Sequence, residues 1–300
     1  MRQTISDEIA GGGYDLVHAE PFYVTPSIPE IPIPLVVAEH NVEYQVYQDY
    51  ADTSKFPLLK YLLNQETERI KMAEYSALNY AGHVIAVSPE DKSAFCKITG
   101  KENISIIPNG VDIEYFRYQE RGKQTDPVFL FVGSFKWLPN REVLKRLIND
   151  IWPEVRLKIP RATLRVVGRD IPAGIKSGSY PGVVFADNVT DIRIEYAKAA
   201  ALISPVQIPG GSKYKILESM AAGLPVVTTV AGLSGINAQN RIHALTVESD
   251  REFPGALVKL LQSPEECRKM TKNARDLIEA DYSWIKIAQK LEKVWQQIIK

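Results

Sequence analysis

Two lysines and a glutamate, Lys213, Lys215 and Glu218, are the residues best spaced to do chemistry. They follow Gly210, Gly211 and Ser212 in the stretch GGSKYKILESMAAGLPVVTT that ends at Thr229. Glycines and a serine let backbone approach a ligand closely, and the helix expected to begin beside them has unpaired N–H donors and a dipole that favour an anion. Lys213 and Lys215 add positive charge at the same end. Glu218 lies one to two turns into that helix, within reach of the hydroxyls of a sugar whose phosphates sit at the helix start. Ala221, Ala222 and Gly223 close the helix, and Leu224 to Val227 begin a buried strand. The order of loop, anion-holding helix start, carboxylate and strand suits a nucleotide diphosphate. A Gly-rich turn before an amphipathic helix is also a common piece of α/β architecture with no ligand at all.

The elements that must position these residues form two α/β halves. In the first half, strands are expected at Tyr14–His18, Leu35–Glu39, His83–Val87 and Ile104–Ile107. A long helix is expected over Pro57–Tyr80, with Leu58, Leu62, Ile70, Ala73, Ala77 and Leu78 as an imperfect apolar stripe. Ser88 and Pro89 make a good helix start. Pro108-Asn109-Gly110-Val111-Asp112 reads as a boundary, giving a first domain over 1–112 and a polar linker over 113–127. The second half, 128–282, alternates strands (Val128–Val132, Leu164–Val167, Val183–Phe185, Ala201–Ser204, Pro225–Thr228, Ala244–Val247) with helices, including one over Pro139–Asp150. That alternation predicts a doubly wound parallel sheet with its ligand outside the C-terminal strand ends. Gly133, Gly168, Asp187 to Val189, Pro205 and Thr228 fall at those ends. A helix from Pro264 to Ala280 and a last one over 283–300 complete the chain.

Several of these segments together resemble retaining GT-B glycosyltransferases of the group 1 or family 4 type. Ile107-Pro108-Asn109-Gly110-Val111-Asp112, Phe131-Val132-Gly133-Ser134 with Trp137-Leu138-Pro139-Asn140, and Gly211-Ser212-Lys213 through Leu217-Glu218 carry the likeness. The resemblance implies two Rossmann-like lobes, a nucleotide-sugar donor held by the second, and a final helix that packs back on the first. It implies that Glu218 holds the donor ribose. The family's usual first acidic position is Gly210 here. Its diphosphate-gripping arginine is replaced by Ser134, with Lys136 the nearest base, so neutralisation passes mainly to Lys213 and Lys215. Arg169 is a weaker candidate. Asn188 and Val189 stand where relatives clamp the base through backbone groups. Gly133, Gly210, Gly211 and Ser212 complete the donor-binding set, and Thr228, Thr229 and Gly232 could line its far side or cap a helix. No metal or other cofactor is implied, and there is no DxD-like pair or metal-spaced cluster in the sequence.

The first half departs further from the family. Relatives often carry a His-x-His motif after a strand, with one His near the transferred sugar. In Val17-His18-Ala19-Glu20-Pro21, His18 matches the first His and Glu20 replaces the second. Both are candidate catalytic residues, with a satisfied structural His as the plain alternative. Glu39 to Glu43, after the next strand, bind an acceptor or cap the helix that follows, whereas His83 and His243 read as structural. The resemblance also implies that roughly three βα units, about 30 residues each, would precede Tyr14. The first lobe is therefore expected to be incomplete, whether in a split enzyme, a truncated product or a form capped by dimerisation or by a partner chain.

Composition narrows the class without naming it. The 300 residues favour two lobes. Lys+Arg and Asp+Glu are both 36, with no basic block, so there is no case for nucleic acid. Cys96 and Cys267 are far apart and without metal spacing, as in a reducing compartment. No apolar run reaches the length of a membrane span, and the N-terminus has no signal-peptide pattern. These features lead to the expectation of a cytoplasmic chain, with contact at the inner membrane face left open. The expected function is transfer of a sugar from a nucleotide sugar to a glycan or lipid-linked acceptor with retention, in polysaccharide or glycolipid assembly. A non-catalytic nucleotide-sugar-binding or partner subunit is the alternative. A nucleotide-sugar 2-epimerase fits the Gly-Ser-Lys-x-Lys-x-Leu-Glu pattern poorly.

Overall fold

The computed structural model describes residues 1–53, 56–122, 124–207 and 213–300. Among them, ten strands form two sheets, every pairing parallel. The chain divides into two compact units. Of the described residues, one comprises Met1–Pro108 with Ile287–Lys300, and the other those between Asn109 and Lys286.

In the first unit, β1 (Val17–Ala19), β2 (Leu35–Glu39), β3 (His83–Ala86) and β4 (Ile104–Ile106) lie in sequence order. Val37, Val84 and Ala86 face a core with Phe22, Leu78 and Phe95, while Val36 and Ile85 face a second cluster with Ile287. Burial on both faces is what covered parallel strands require. The helix Pro57–Tyr80 forms, but Leu58 and Leu62 are 73% and 54% exposed. The expected apolar stripe is thus buried only toward its C-terminal end, through Ala77 and Leu78. At about 1.5 Å per residue, this 24-residue helix far outruns strands of three to five residues, so its first turns extend past the sheet. The helix Arg2–Ala10 has no counterpart in the sequence expectations, whereas the helix expected after Glu39–Glu43 forms over Glu43–Thr53.

In the second unit, β5 (Val128–Ser134), β6 (Thr163–Arg169), β7 (Val183–Asp187), β8 (Ala201–Ser204), β9 (Val226–Thr229) and β10 (Leu245–Val247) take the order β10-β9-β8-β5-β6-β7. The order reverses between β5 and β8, which makes a crevice outside their C-terminal ends the default ligand position. Phe129 and Phe131 of β5 enter one core cluster and Leu130 the other, as period-two alternation requires. The helix expected over Pro139–Asp150 instead comprises Leu138–Arg146, a π-helical stretch Leu147–Ile151, and Trp152–Lys158. Pro153 lacks the N–H an α-helix would send back to Asn149, and the widened turns precede it. Residues just after Asp112 pack on this unit. Phe116 is buried, and the Arg275 guanidinium takes the carbonyls of Ile113, Phe116 and Ala221, at 2.8 Å for the last.

Gly168, near the end of β6, shows how tightly the crevice floor is built. A Cβ there would sit 1.8 Å from the Gly133 carbonyl oxygen. Gly168→Ala is expected to destabilise the protein by about 2–3 kcal/mol through overpacking, measured by denaturant unfolding; a loss below about 0.5 kcal/mol would show that the two strand ends part easily.

Candidate functional site

The short helix Tyr214–Ala221 follows β8, beside the strand-order reversal. Ile216, Leu217, Met220 and Ala221 are buried, and that packing fixes which way Lys215 and Glu218 turn. Lys215 Nζ donates to Asn140 Oδ1 at 3.2 Å and lies 4.8 Å from the centre of the Phe131 ring on β5. Asn140 is itself oriented, its Nδ2 donating to the Ser134 carbonyl at 2.9 Å. The ammonium is therefore braced by the strand and helix on the far side of the reversal. Burial, and then the charge of Lys213, push the Lys215 pKa down to about 8, against a smaller opposite pull from Glu218.

Glu218 Oε2 accepts from the Tyr196 hydroxyl at 2.7 Å. Tyr196 is 1% exposed and makes an edge contact with Phe116. Burial raises the Glu218 pKa, while the Tyr196 hydroxyl and Lys215 oppose the rise. One carboxylate oxygen is thus anchored, and the group keeps a fixed direction. Tyr196→Phe preserves the ring packing and removes the anchor. It is expected to weaken nucleoside diphosphate binding about three- to tenfold in calorimetric titration, in line with one charge-assisted hydrogen bond; unchanged affinity would detach Tyr196 from the site.

The remaining expected donor-side residues are distributed as follows. Gly133 and Ser134 end β5, and Arg169 ends β6, exposed, its carbonyl accepting from Phe135 N–H at 2.9 Å. Lys136 is exposed just beyond β5. Asn188 has φ of 56°, a left-handed conformation asparagine tolerates, and its N–H donates to the Gly168 carbonyl at 2.8 Å. Val189 packs against the core. Lys213 is the residue preceding the helix, at its N-cap. Gly210, Gly211 and Ser212 lie outside the described residues. Thr228 Oγ1 donates to the Ser204 carbonyl at 2.6 Å, and Thr229 accepts from Gly232 N–H at 3.2 Å, so both are engaged within the fold.

His18 and Glu20 belong to the first unit, the one in the middle of β1 and the other just after its end. Trp295 Nε1–H donates to His18 Nδ1 at 3.1 Å, which leaves the imidazole proton on Nε2 when the ring is neutral. Burial lowers the His18 pKa and favours that neutral form, against the opposing charge of Glu20. Glu20 Oε1 lies 2.6 Å from His40 Nε2, while its other oxygen is 3.8 Å from His18 Nε2. Glu20 is thus held on His40, with His18 Nε2 nearby but beyond hydrogen-bond distance. His83 Nε2 pairs with Ser105 Oγ at 2.9 Å, and His243 Nδ1 accepts from Gln239 N–H at 3.0 Å.

Asn140, Tyr196 and Phe131 take part in this arrangement without having been singled out for it. Asn140 sits in the Trp137–Asn140 segment that carried part of the resemblance, and its position there was the available signal. Nothing in the sequence marks Tyr196, which reaches Glu218 only through tertiary packing.

Both units match glycosyltransferase domains. Residues 1–115 match the model for Glycosyltransferase Family 4, and residues 126–263 the model for Glycosyl transferases group 1. With two Rossmann-like parallel sheets, the chain belongs to the glycosyltransferases of the GT-B fold. It is 24% identical over 242 residues to an uncharacterized glycosyltransferase of Methanocaldococcus jannaschii, covering 73% of this chain and 59% of that protein. It is 25% identical over 209 residues to the MMP α-(1→4)-mannosyltransferase of Mycolicibacterium hassiacum, covering 66% and 49%. The chain thus spans about half to three fifths of these relatives. Among solved structures, sucrose-phosphate synthase from Thermosynechococcus elongatus superposes with a TM-score of 0.76 at 19% identity, covering 99% of this chain and 76% of that one. Anabaena HepE in complex with UDP gives 0.71 at 16%, covering 98% and 82%. These likenesses establish the fold.

Proposed function

We propose that the chain transfers a sugar from a nucleotide diphosphate sugar to an acceptor hydroxyl with retention of anomeric configuration. The observation that carries this reading is the joint placement of Lys215 and Glu218 on the helix after β8, braced by Asn140 and Tyr196 beside the reversal of strand order. Departure of the leaving group puts negative charge on the β-phosphate. Lys213, Lys215 and the helix start stabilise that charge as it develops, so the reaction needs no metal. The acceptor hydroxyl attacks on the face the diphosphate leaves. Glu218 orients the ribose and is no base. Gly133, Ser134, Lys136, Arg169 and Gly210 to Ser212 border the diphosphate, Asn188 and Val189 the base. His18 and Glu20 serve the transferred sugar or the acceptor. HepE was crystallised with UDP, which supports a nucleotide sugar as donor. On this reading the chain works in the cytoplasm in polysaccharide or glycolipid synthesis, with contact at the membrane face. Among the described residues, no helix is long and apolar enough to cross a membrane.

A binding or partner subunit without catalysis is the second reading. It is favoured by the Trp295 indole occupying His18 Nδ1 and by Glu20 standing where relatives have the second His. Calorimetric titration with UDP, GDP and ADP tests the donor site, with selective binding of one as the expected result. No binding by the folded chain would sink both readings. Transfer of labelled sugar to a hydroxyl acceptor, with the product anomer assigned by NMR, then separates catalysis from binding; an inverted product would exclude retention.

A further inference from the structure

The second unit has a cavity of about 280 Å³ away from the lysine pair, walled by Tyr115, Phe116 and Tyr196 with Arg117, Arg121 and Arg193 around it. Its lining holds three arginines against one carboxylate, Asp191. Arg193 is paired with Asp191 at 2.7 Å and stacks 4.2 Å from the Tyr115 ring centre. Arg117 donates to the Glu114 carbonyl at 3.1 Å. Arg121 gives its terminal nitrogens to the Ala197 and Ala222 carbonyls, and its buried Nε has no hydrogen-bond partner. Neither Arg117 nor Arg121 makes an ion pair among the described residues. A half-buried guanidinium with no counter-charge, one donor unsatisfied, beside aromatic walls, fits a ligand that brings both an anion and a flat apolar body.

We propose that this cavity binds a small aromatic anion, its ring against Tyr115, Phe116 and Tyr196 and its acidic group on Arg117 and Arg121. The site is separate from the diphosphate position but shares Tyr196 with it, because the Tyr196 hydroxyl holds Glu218. The ligand thus sits on the residue that orients the proposed nucleotide-binding carboxylate.

The test uses the intact chain and the fluorescent probe 8-anilinonaphthalene-1-sulfonate, with neutral N-phenyl-1-naphthylamine as its uncharged counterpart. Saturable binding of the sulfonate is expected, weakened about tenfold by Arg117→Ala, the scale of one charge-assisted hydrogen bond. Ile194→Trp should abolish it by filling the cavity from a position that is 48% exposed. Thermal melts confirm that the variants are folded, and the Arg117→Ala result decides alone should the tryptophan variant fail to fold. The nucleoside diphosphate that the titration with UDP, GDP and ADP selects should, at saturation, leave the probe bound. Sulfonate binding that neither variant weakens, equal affinity for the neutral dye, no saturable binding at all, or displacement by that diphosphate would each overturn the proposal.

Discussion

Lys215→Met is expected to lower the rate of sugar transfer by about 10²–10³-fold, the usual cost of removing one preorganised group that stabilises a developing oxyanion. It should at the same time raise the melting temperature of the ligand-free protein by a few degrees. Both effects come from the same burial. The ammonium has one neutral acceptor, Asn140, at 3.2 Å and an aromatic face at 4.8 Å, and its pKa falls from 10.5 to about 8. The folded state thus binds this proton less tightly than the unfolded chain does. Below about pH 8 the buried charge subtracts from stability. Between about pH 8 and 10.5 the unfolded chain carries more protons than the folded one, so stability from this group rises with pH. A diphosphate reverses the balance by supplying the missing counter-charge. Its affinity should therefore fall as pH rises through about 8, with proton uptake on binding, while affinity for the bare nucleoside stays level. Calorimetry at pH 7 and pH 9 with both ligands reads this directly. A diphosphate affinity that ignores pH, or a Met variant that melts lower than wild type, would mean that Lys215 serves the fold and not the phosphates.

The second unit was the more legible half, and particular residues show why. Its strands are short apolar runs closed by glycines or polar turns, and β8 at Ala201–Ser204 and the helix carrying Glu218 follow from local pattern alone. What stayed hidden rests on contacts distant in sequence. The helix Glu43–Thr53 has its first N–H groups, those of Glu43 and Tyr44, capped at 3.0 and 3.3 Å by the carboxylate of Glu74. The helix start was expected beside Glu39–Glu43, but a cap supplied from some 30 residues downstream cannot be read there. That carboxylate is fully buried and titrates at about 7, mainly through desolvation, a property no periodicity reveals. Tyr196 is similar: a tyrosine on a seven-residue helix looks like any core aromatic until its hydroxyl is seen on Glu218. The placement of Lys215 and Glu218 together on one helix was legible because their spacing is local. Their supports, Asn140 and Tyr196, lie 75 and 22 residues away.

Removing Glu218 is expected to weaken nucleoside diphosphate binding by about 1–3 kcal/mol, the range for a hydrogen bond to a charged group. Glu218→Ala alone confounds two effects. It takes away the ribose partner, and it leaves the Tyr196 hydroxyl, on a residue 1% exposed, without its acceptor, which costs stability on the same scale. Glu218→Gln separates them, since the amide oxygen can still accept from Tyr196 while the charge is gone. That variant should melt within a few degrees of wild type and still bind the preferred diphosphate about tenfold more weakly. The sharper readout is a thermodynamic cycle with the 2′,3′-dideoxy form of the same nucleotide. Wild type should discriminate strongly between the two ligands, because a carboxylate aimed at a ribose loses its partner when the hydroxyls are absent. In Glu218→Gln the discrimination should shrink, and the dideoxy ligand should bind both proteins nearly alike. Equal losses for both ligands would assign Glu218 to holding Tyr196 and the crevice wall, and the ribose would then have to be held by a different group.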